Sequence, residues 1–314
     1  MPAMPKPLSV SPGSTRIGWI GTGVMGGGMC ANCIRGGYSA TVFDLSPSKC
    51  APLVELGAQV AGSPKEVANE ADVVFLCVGF PEDAEKAIVG ADGTMEGLRP
   101  GGIIVDMTTS KPSLSASIAE RVAQQGCYVI DAPVSGGDVG AREGRLAIFC
   151  GGDRSAFDAV RPLLVCMSKE EAIHHMGPAG SGQHMKITNQ ILVSINLIGV
   201  AEGLLYAHRA GLDVEKALAG VSKGAAGSWS LTNYGDRILR RDFKCGGSVA
   251  LFVKDLRICV EEANRMGLAL PGLALAHQLY VAMQAQGDGD AAIHGLTLAL
   301  ERLNGVKTLG DYTK

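Results

Sequence analysis

The chain has 314 residues, which at roughly 150 residues per domain leads to an expectation of two domains. Hydrophobic residues make up 46% and charged residues 19%, enough apolar material for sizeable cores and too little charge for a disordered chain. A net charge of -3 and a pI near 6.1 argue against nucleic acid or an anionic membrane surface as the main partner.

Segment 1–15 lacks an apolar h-region, so it does not read as a secretory signal. Its prolines work against an amphipathic targeting helix, and the segment is expected to form a disordered tail on a cytoplasmic protein. Lys6, Arg16, several serines and the lack of an acid leave a mitochondrial address as the alternative. Short apolar, β-branched runs then alternate with helical stretches as far as Met176. They are RIGWI, ATVFD, ADVVFLCVG, GIIVDMTT, CYVIDAPVS, LAIFCGG and AIHHM. Near-continuous apolar strands between helices imply a mostly parallel sheet covered on both faces. One helix start is explicit: Ser63-Pro64-Lys65-Glu66 reads as an N-cap, a first-turn proline and a capping-box glutamate.

The first strand runs directly into Gly21-x-Gly23-x-x-Gly26, at the start of a helix. In such a loop the first glycine allows the tight turn and the second lets backbone approach a pyrophosphate. The third lets the helix pack closely on the sheet. Free N–H groups at the helix start then face the phosphates. The next strand ends in Asp44, about 20 residues on, where a carboxylate can bind a ribose 2′-hydroxyl. The same carboxylate repels a 2′-phosphate, so NAD is favoured over NADP. The expected cofactor contacts in this region are Gly18, Ile20, Gly21, Thr22, Gly23, Val24, Met25, Gly26, Asn32 and Asp44. Nine cysteines are scattered without framework spacing, as reduced thiols would be. Cys30 and Cys33 form a CxxC inside the helix and read as core residues. His174-His175 has no partners at ligand spacing, and no catalytic metal is expected.

After Gly180 no strand is expected, only helices over 182–210, 213–222, about 228–241, 249–266, 271–286 and 290–304. Gly211, Gly267 and Gly287 stand where C-caps would fall. The chain therefore divides into an α/β dinucleotide-binding domain over 16–180 and an all-helical domain over 181–314, joined by the long helix. That helix, about 42 Å long at 1.5 Å per residue, is apolar on nearly every face. Lys186, Asn189, Gln190, Asn196 and Glu202 interrupt it, so it is not expected to span a bilayer. A domain of this size can hardly bury such a helix alone, and a homodimer or homotetramer is expected. Lys186, Asn189 and Gln190 crowd one side of its first turns. An unpaired ammonium there would cost several kcal/mol, so a function is expected of it.

The motifs IGTGVMG, VDMTTS, DAPVSGGDVGAREG, GSGQHMKITNQ, GAAGSWSLTN and FVKDLRICVEEA occur in this order. Together they resemble the β-hydroxyacid dehydrogenases, the 3-hydroxyisobutyrate dehydrogenase family, from Ile17 to about Leu303. The resemblance implies a Rossmann domain followed by a helical domain, and NAD(P)-linked oxidation of a 3-hydroxy acid or reduction of its semialdehyde. It places Lys186 on the catalytic lysine, which accepts the hydroxyl proton as an amine and returns it as an ammonium. Burial among apolar neighbours is expected to suit it to the first role. It also implies a substrate-carboxylate loop at Ser135, Gly136 and Gly137, with Asn189, Gln190 and Trp229 lining the pocket. Thr109 would lie near the nicotinamide and Lys254 would close over the cofactor. Two positions depart from the commonest pattern: Gln190 stands in place of an Asn, and Gly247 in place of a Phe. The alternative within the family is an NADPH-dependent glyoxylate, succinic or tartronate semialdehyde reductase. A non-catalytic chromatin-associated relative is disfavoured because Lys186 is present.

Overall fold

The computed structural model describes residues 4–244 and 246–309, in two compact units, 1–186 and 187–314. The strands of the first unit are β1 (Arg16–Ile20), β2 (Ser39–Phe43), β3 (Gln59–Val60), β4 (Val73–Leu76) and β5 (Ile103–Asp106). They continue with β6 (Tyr128–Asp131), β7 (Val134–Ser135), β8 (Leu146–Gly152) and β9 (Ser168–Gly177). Its helices are α1 (Val24–Arg35), α2 (Ala51–Val54), α3 (Pro64–Asn69), α4 (Pro81–Val89) and α5 (Thr94–Gly97). Then follow α6 (Pro112–Ala123), α7 (Gly137–Glu143), α8 (Arg154–Val165) and the start of α9 (Ser181–Arg209).

All strands join one sheet in the order β3-β2-β1-β4-β5-β6-β8-β7, with β9 on the far side of β8. From β3 to β6 every pairing is parallel, whereas β8 runs antiparallel to β6 and β7. The expected mostly parallel α/β sheet is observed, and each apolar run became a strand. The two-residue strands β3 and β7 are too short to leave a pattern in sequence. Side chains alternate across β1, so Trp19 stacks on Phe75 at 4.8 Å on one face. Ile20 packs on the other, with Val67, Val74 and Ile104. Ser63 caps α3 as expected, accepting from the Glu66 amide at 3.2 Å, but the Glu66 carboxylate accepts from Gly62 N at 2.7 Å.

Residues 4–15 differ from the disordered tail that composition suggests. Pro5 O accepts a hydrogen bond from the Tyr128 hydroxyl at 2.5 Å, Leu8 N donates to Gly101 O, and Val10 packs on the core. A proline-rich segment loses little backbone freedom on binding, so few contacts hold it.

The second unit holds the rest of α9 with α10 (Val214–Val221), α11 (Trp229–Leu239), α12 (Val249–Arg265), α13 (Pro271–Met283) and α14 (Leu296–Leu303). Gly211 and Gly267 have φ of 75° and 68°, the left-handed C-cap conformation expected of them, whereas Gly287, at a φ of 94°, kinks the short helical segment Gln284–Asp288 that follows α13. Helix α9 has 29 residues, and its most apolar window has a mean hydropathy of 1.5. Among the described residues it is the one helix long and apolar enough to cross a membrane, which corrects the reading that its polar interruptions disqualify it. In this structure Leu197, Ala201 and Leu204 of α9 pack with Phe252, Leu256 and Tyr280 in the helical core.

Gly18 lets α3 sit against β1. A Cβ there would lie 2.5 Å from Val67 Cγ1 and 3.1 Å from Ala71 Cβ. Gly18→Val should therefore destabilise the protein by about 1–3 kcal/mol through overpacking. Denaturant unfolding followed by circular dichroism measures it, and an unchanged midpoint would contradict this account of the α3–β1 contact.

Candidate active site

Parallel register places the C-terminal ends of five strands side by side: Phe43, Ile20, Leu76, Asp106 and Asp131 are successive partners. The loops that follow share one edge of the sheet. Chain order reverses between β1 and β4, the switch point where open α/β sheets bind ligands.

The glycine loop leaves β1 at that point. Gly21 has a φ of 88°, and a Cβ on it would come within 2.3 Å of Cys77 O. A Cβ on Gly26 would lie 2.0 Å from Gly21 O, so α1 closes onto the turn only because that atom is missing. A Cβ on Gly23 would meet nothing within 4 Å, so this glycine borders open space. Helix α1 starts after Gly23 with no side-chain cap and no acid in its first turn. Free N–H groups beside an open glycine fit a pyrophosphate. Val24 is exposed and Met25 half-buried at this end, while Thr22 is buried beneath it.

Asp44 lies beside this loop. Its carboxylate accepts from Thr22 N at 2.9 Å and from Ser46 N at 2.8 Å, which fixes its orientation. The Lys49 ammonium lies 3.8 Å away. This cation was missed in sequence, where only arginine was sought after Asp44; a lysine five residues on was the available signal.

Three further residues expected at the cofactor also carry packing in the structure. Gly18 serves the α3 contact, and Ile20 is buried in the core beneath the loop. Asn32 stands in the third turn of α1 and donates to Ala141 O at 2.8 Å, tying α1 to α7. Cys30 and Cys33 are buried core residues as expected. Burial drives the Cys30 thiol up, and a hydrogen bond with Cys166, followed by burial, drives up Cys33.

Thr109 lies half-buried in the loop after β5. That loop is fastened on both sides: Thr108 Oγ1 accepts from Val78 N at 3.1 Å, and Asp106 accepts from Thr108 N at 2.9 Å. After β6 the chain turns through Val134 and Ser135 into Gly136 and Gly137, with φ of 134° and 66°. Only glycine adopts such a pair readily. It leaves Ser135 half-buried, and a Cβ on Gly137 would meet nothing within 4 Å.

Lys186 is 8% exposed, and its Nζ donates to Val134 O at 2.7 Å. The first turns of α9 thus hold an ammonium against the carbonyl that precedes Ser135. Two residues with no role assigned from sequence support this arrangement. Asp131 accepts from Gly180 N at 2.7 Å and Gln183 N at 2.9 Å. Burial pushes its carboxyl up to about 7 against those two amides. The Gln183 side chain is fully buried, accepts from Ser110 N at 2.9 Å and donates to Thr108 O at 2.8 Å.

In the second unit, Asn189 Nδ2 donates to Gln190 Oε1 at 2.8 Å, and Gln190 Nε2 donates to Asp255 at 2.5 Å. The other Asp255 oxygen pairs with Lys254 at 2.9 Å. Lys254 is 6% exposed, so it is no solvated helix charge. Trp229 stands apart from this network, 54% exposed at the start of α11 and edge-on to Tyr234. Gly247 is exposed, and a side chain there would have room.

Comparison with known proteins agrees with this geometry. Residues 16–177 match the NAD-binding domain of 6-phosphogluconate dehydrogenase, and residues 180–299 match the NAD-binding domain of NADP-dependent 3-hydroxyisobutyrate dehydrogenase. A mitochondrial 3-hydroxyisobutyrate dehydrogenase-like protein 1 of Arabidopsis thaliana is 52% identical over 298 residues, 95% of this chain and 88% of the relative. The 2-hydroxy-3-oxopropionate reductase of Escherichia coli is 34% identical, across 91% of this chain and 97% of its own. The crystal structure of 3-hydroxyisobutyrate dehydrogenase from Salmonella typhimurium superposes with a TM-score of 0.83 at 26% identity, covering 91% of this chain and 99% of that one. The chain belongs to the β-hydroxyacid dehydrogenase family of 3-hydroxyisobutyrate dehydrogenase-like proteins, NAD(P)-dependent oxidoreductases that act on CH–OH groups.

Proposed function

We propose that this enzyme interconverts a small 3-hydroxy acid of the 3-hydroxyisobutyrate type and its semialdehyde, using NAD and Lys186 as acid and base. The observation that carries this reading is the Lys186 Nζ held at 2.7 Å from Val134 O, one residue before Ser135. The nicotinamide, when bound, accepts or supplies the hydride. Gly21, Gly23, Gly26 and the start of α1 would hold the pyrophosphate, Asp44 would hold the ribose diol, and Thr109 would serve the nicotinamide end. Ser135 and the backbone of Gly136 and Gly137 bind the substrate carboxylate. Lys186 takes the hydroxyl proton in oxidation and returns it in reduction. Within the second unit Asn189, Gln190 and Lys254 are joined through Asp255, and the family resemblance is what assigns these three and Trp229 to ligand binding.

Lys186→Ala should lower kcat by the ~10²–10⁴ typical of general acid–base catalysis, with NAD affinity near normal. Lys186→Arg should fail equally, because a guanidinium keeps its proton near neutral pH. In the unmutated enzyme oxidation should speed up, and reduction slow down, as rising pH removes the lysine proton. A folded Lys186→Ala enzyme that keeps more than roughly a tenth of kcat would falsify the assignment.

NAD preference rests on Asp44, and the Lys49 ammonium at 3.8 Å works against it by softening repulsion of a 2′-phosphate. That cation is the specific support for the second reading, an NADPH-linked semialdehyde reductase. Asp44→Arg should weaken NAD and improve NADP, while Lys49→Ala should widen the margin in favour of NAD. Steady-state kinetics with both cofactors decides: kcat/KM for NADP equal to or above that for NAD in the unmutated enzyme would sink the NAD reading.

A homo-oligomer is proposed through α9. Leu192, Ile195, Gly199, Gly203 and Tyr206 follow one another at helical spacing and all are exposed, Tyr206 by 76%. Tyr206→Glu should lower the sedimenting mass towards that of one chain. A native enzyme already sedimenting as a monomer would rule the oligomer out. The cytosol is the proposed compartment, since residues 4–15 are bonded into the first unit as a retained segment would be. The mitochondrial alternative draws on the name of the Arabidopsis relative.

A further inference from the structure

We propose that Gln183 and Asp131 are positioning residues that fix Lys186, because together they clamp the first turn of α9 to the two loops assigned to nicotinamide and substrate. The inference rests on Lys186 as the acid and base.

Gln183 precedes Lys186 by three residues, so the two lie close to one side of the helix. Its amide is bonded at both ends to the loop that contains Thr109: Ser110 N donates to its oxygen and Thr108 O accepts from its nitrogen, at 2.9 and 2.8 Å. Asp131 grips the same turn from the other side, through Gly180 N and Gln183 N at 2.7 and 2.9 Å. Val134, three residues after Asp131, supplies the oxygen that holds Lys186 Nζ. Acceptor and donor are thus anchored on one short loop, with the helix start fastened to both.

The glycines make the clamp close. A Cβ on Gly182 would lie 2.4 Å from Phe149 O and 2.5 Å from Asp131 O; one on Gly151 would lie 2.6 Å from Asp131 Oδ1. Either side chain would lift the helix off the strand ends. A displacement of the lysine head by ~1 Å can cost about 10²-fold in rate, so a residue that touches neither substrate nor cofactor can govern kcat.

Two variants of Gln183 test this. Gln183→Met keeps the shape and removes both hydrogen bonds. It should lower kcat by ~10-fold or more, approaching the ~10² expected of a misplaced group, and leave KM for the cofactor nearly unchanged. Gln183→Glu offers one acceptor and one donor only while its carboxyl is protonated. Its kcat relative to the unmutated enzyme should therefore recover as pH falls and drop as the carboxyl ionises against Thr108 O. A merely structural role predicts no such recovery.

A second readout avoids catalysis: competitive acetylation of Lys186 across pH, followed by mass spectrometry, in both variants and the unmutated enzyme. A shifted Lys186 profile supports the clamp, including when kcat is unchanged, in which case the acid–base reading of Lys186 fails and the clamp stands. A folded Gln183→Met enzyme with an unmoved Lys186 profile overturns the clamp whether or not kcat falls. Should Gln183→Met not fold, Gln183→Glu carries the test by itself, with an unshifted profile and a normal pH–rate curve as the overturning result.

Discussion

The close approach of the α9 start to the strand ends is the constraint on which the first unit's chemistry depends. Helix N–H groups have no intrahelical partner in the first turn, and buried ones must find an acceptor. Gly180 and Gly182 have no side chain to offer, so Asp131 at the end of β6 supplies the oxygens. A carboxylate at a helix N-terminus also opposes the partial positive charge there, typically by 0.3–1 kcal/mol and up to about 2 where partly buried. Loss of either partner would leave buried polar groups unpaired at about 1–3 kcal/mol each. The segment Asp131–Ser135 thereby caps the helix, holds the lysine and carries the serine within five residues.

Buried charge in the helical unit is handled by the same logic. Lys254 and Asp255 are adjacent on α12 and both are buried, which would be costly for either alone. Their pairing at 2.9 Å leaves one Asp255 oxygen for Gln190, whose own oxygen takes the Asn189 amide. Gln190, where the family often has Asn, is here the middle of a chain of hydrogen bonds. Its extra methylene gives it reach, so the departure from the common pattern preserves a polar network instead of breaking one.

Much of this was legible in the residues, and the reasons differ from place to place. Strands β1, β4, β5, β6 and β8 are buried along nearly their whole length on both faces, so their apolar runs stand out. The glycine loop and Asp44 follow from local spacing, and Lys186 follows from the cost of an ammonium in an apolar helix. Asp131 and Gln183 were not legible because their partners lie 49 to 75 residues away in sequence. The bond from Asn32 on α1 to Ala141 O at the end of α7 was hidden for a related reason, since 109 residues separate the two. The membrane-like hydropathy of α9 shows the converse, since composition alone cannot tell a bilayer from the helical core that receives Leu197 and Leu204.

The central claim is that Lys186 exchanges the proton of the substrate hydroxyl while Ser135 and its neighbours hold the carboxylate. The most direct measurement is a crystal structure of the enzyme with NAD and a slow 3-hydroxy acid bound. The account predicts Lys186 Nζ within ~2.6–3.2 Å of the 3-hydroxyl oxygen, or joined to it through one water, with the substrate carboxylate on the Ser135–Gly137 backbone. A bound substrate whose hydroxyl meets a different side chain, with Lys186 still on Val134 O and no water between, would contradict it.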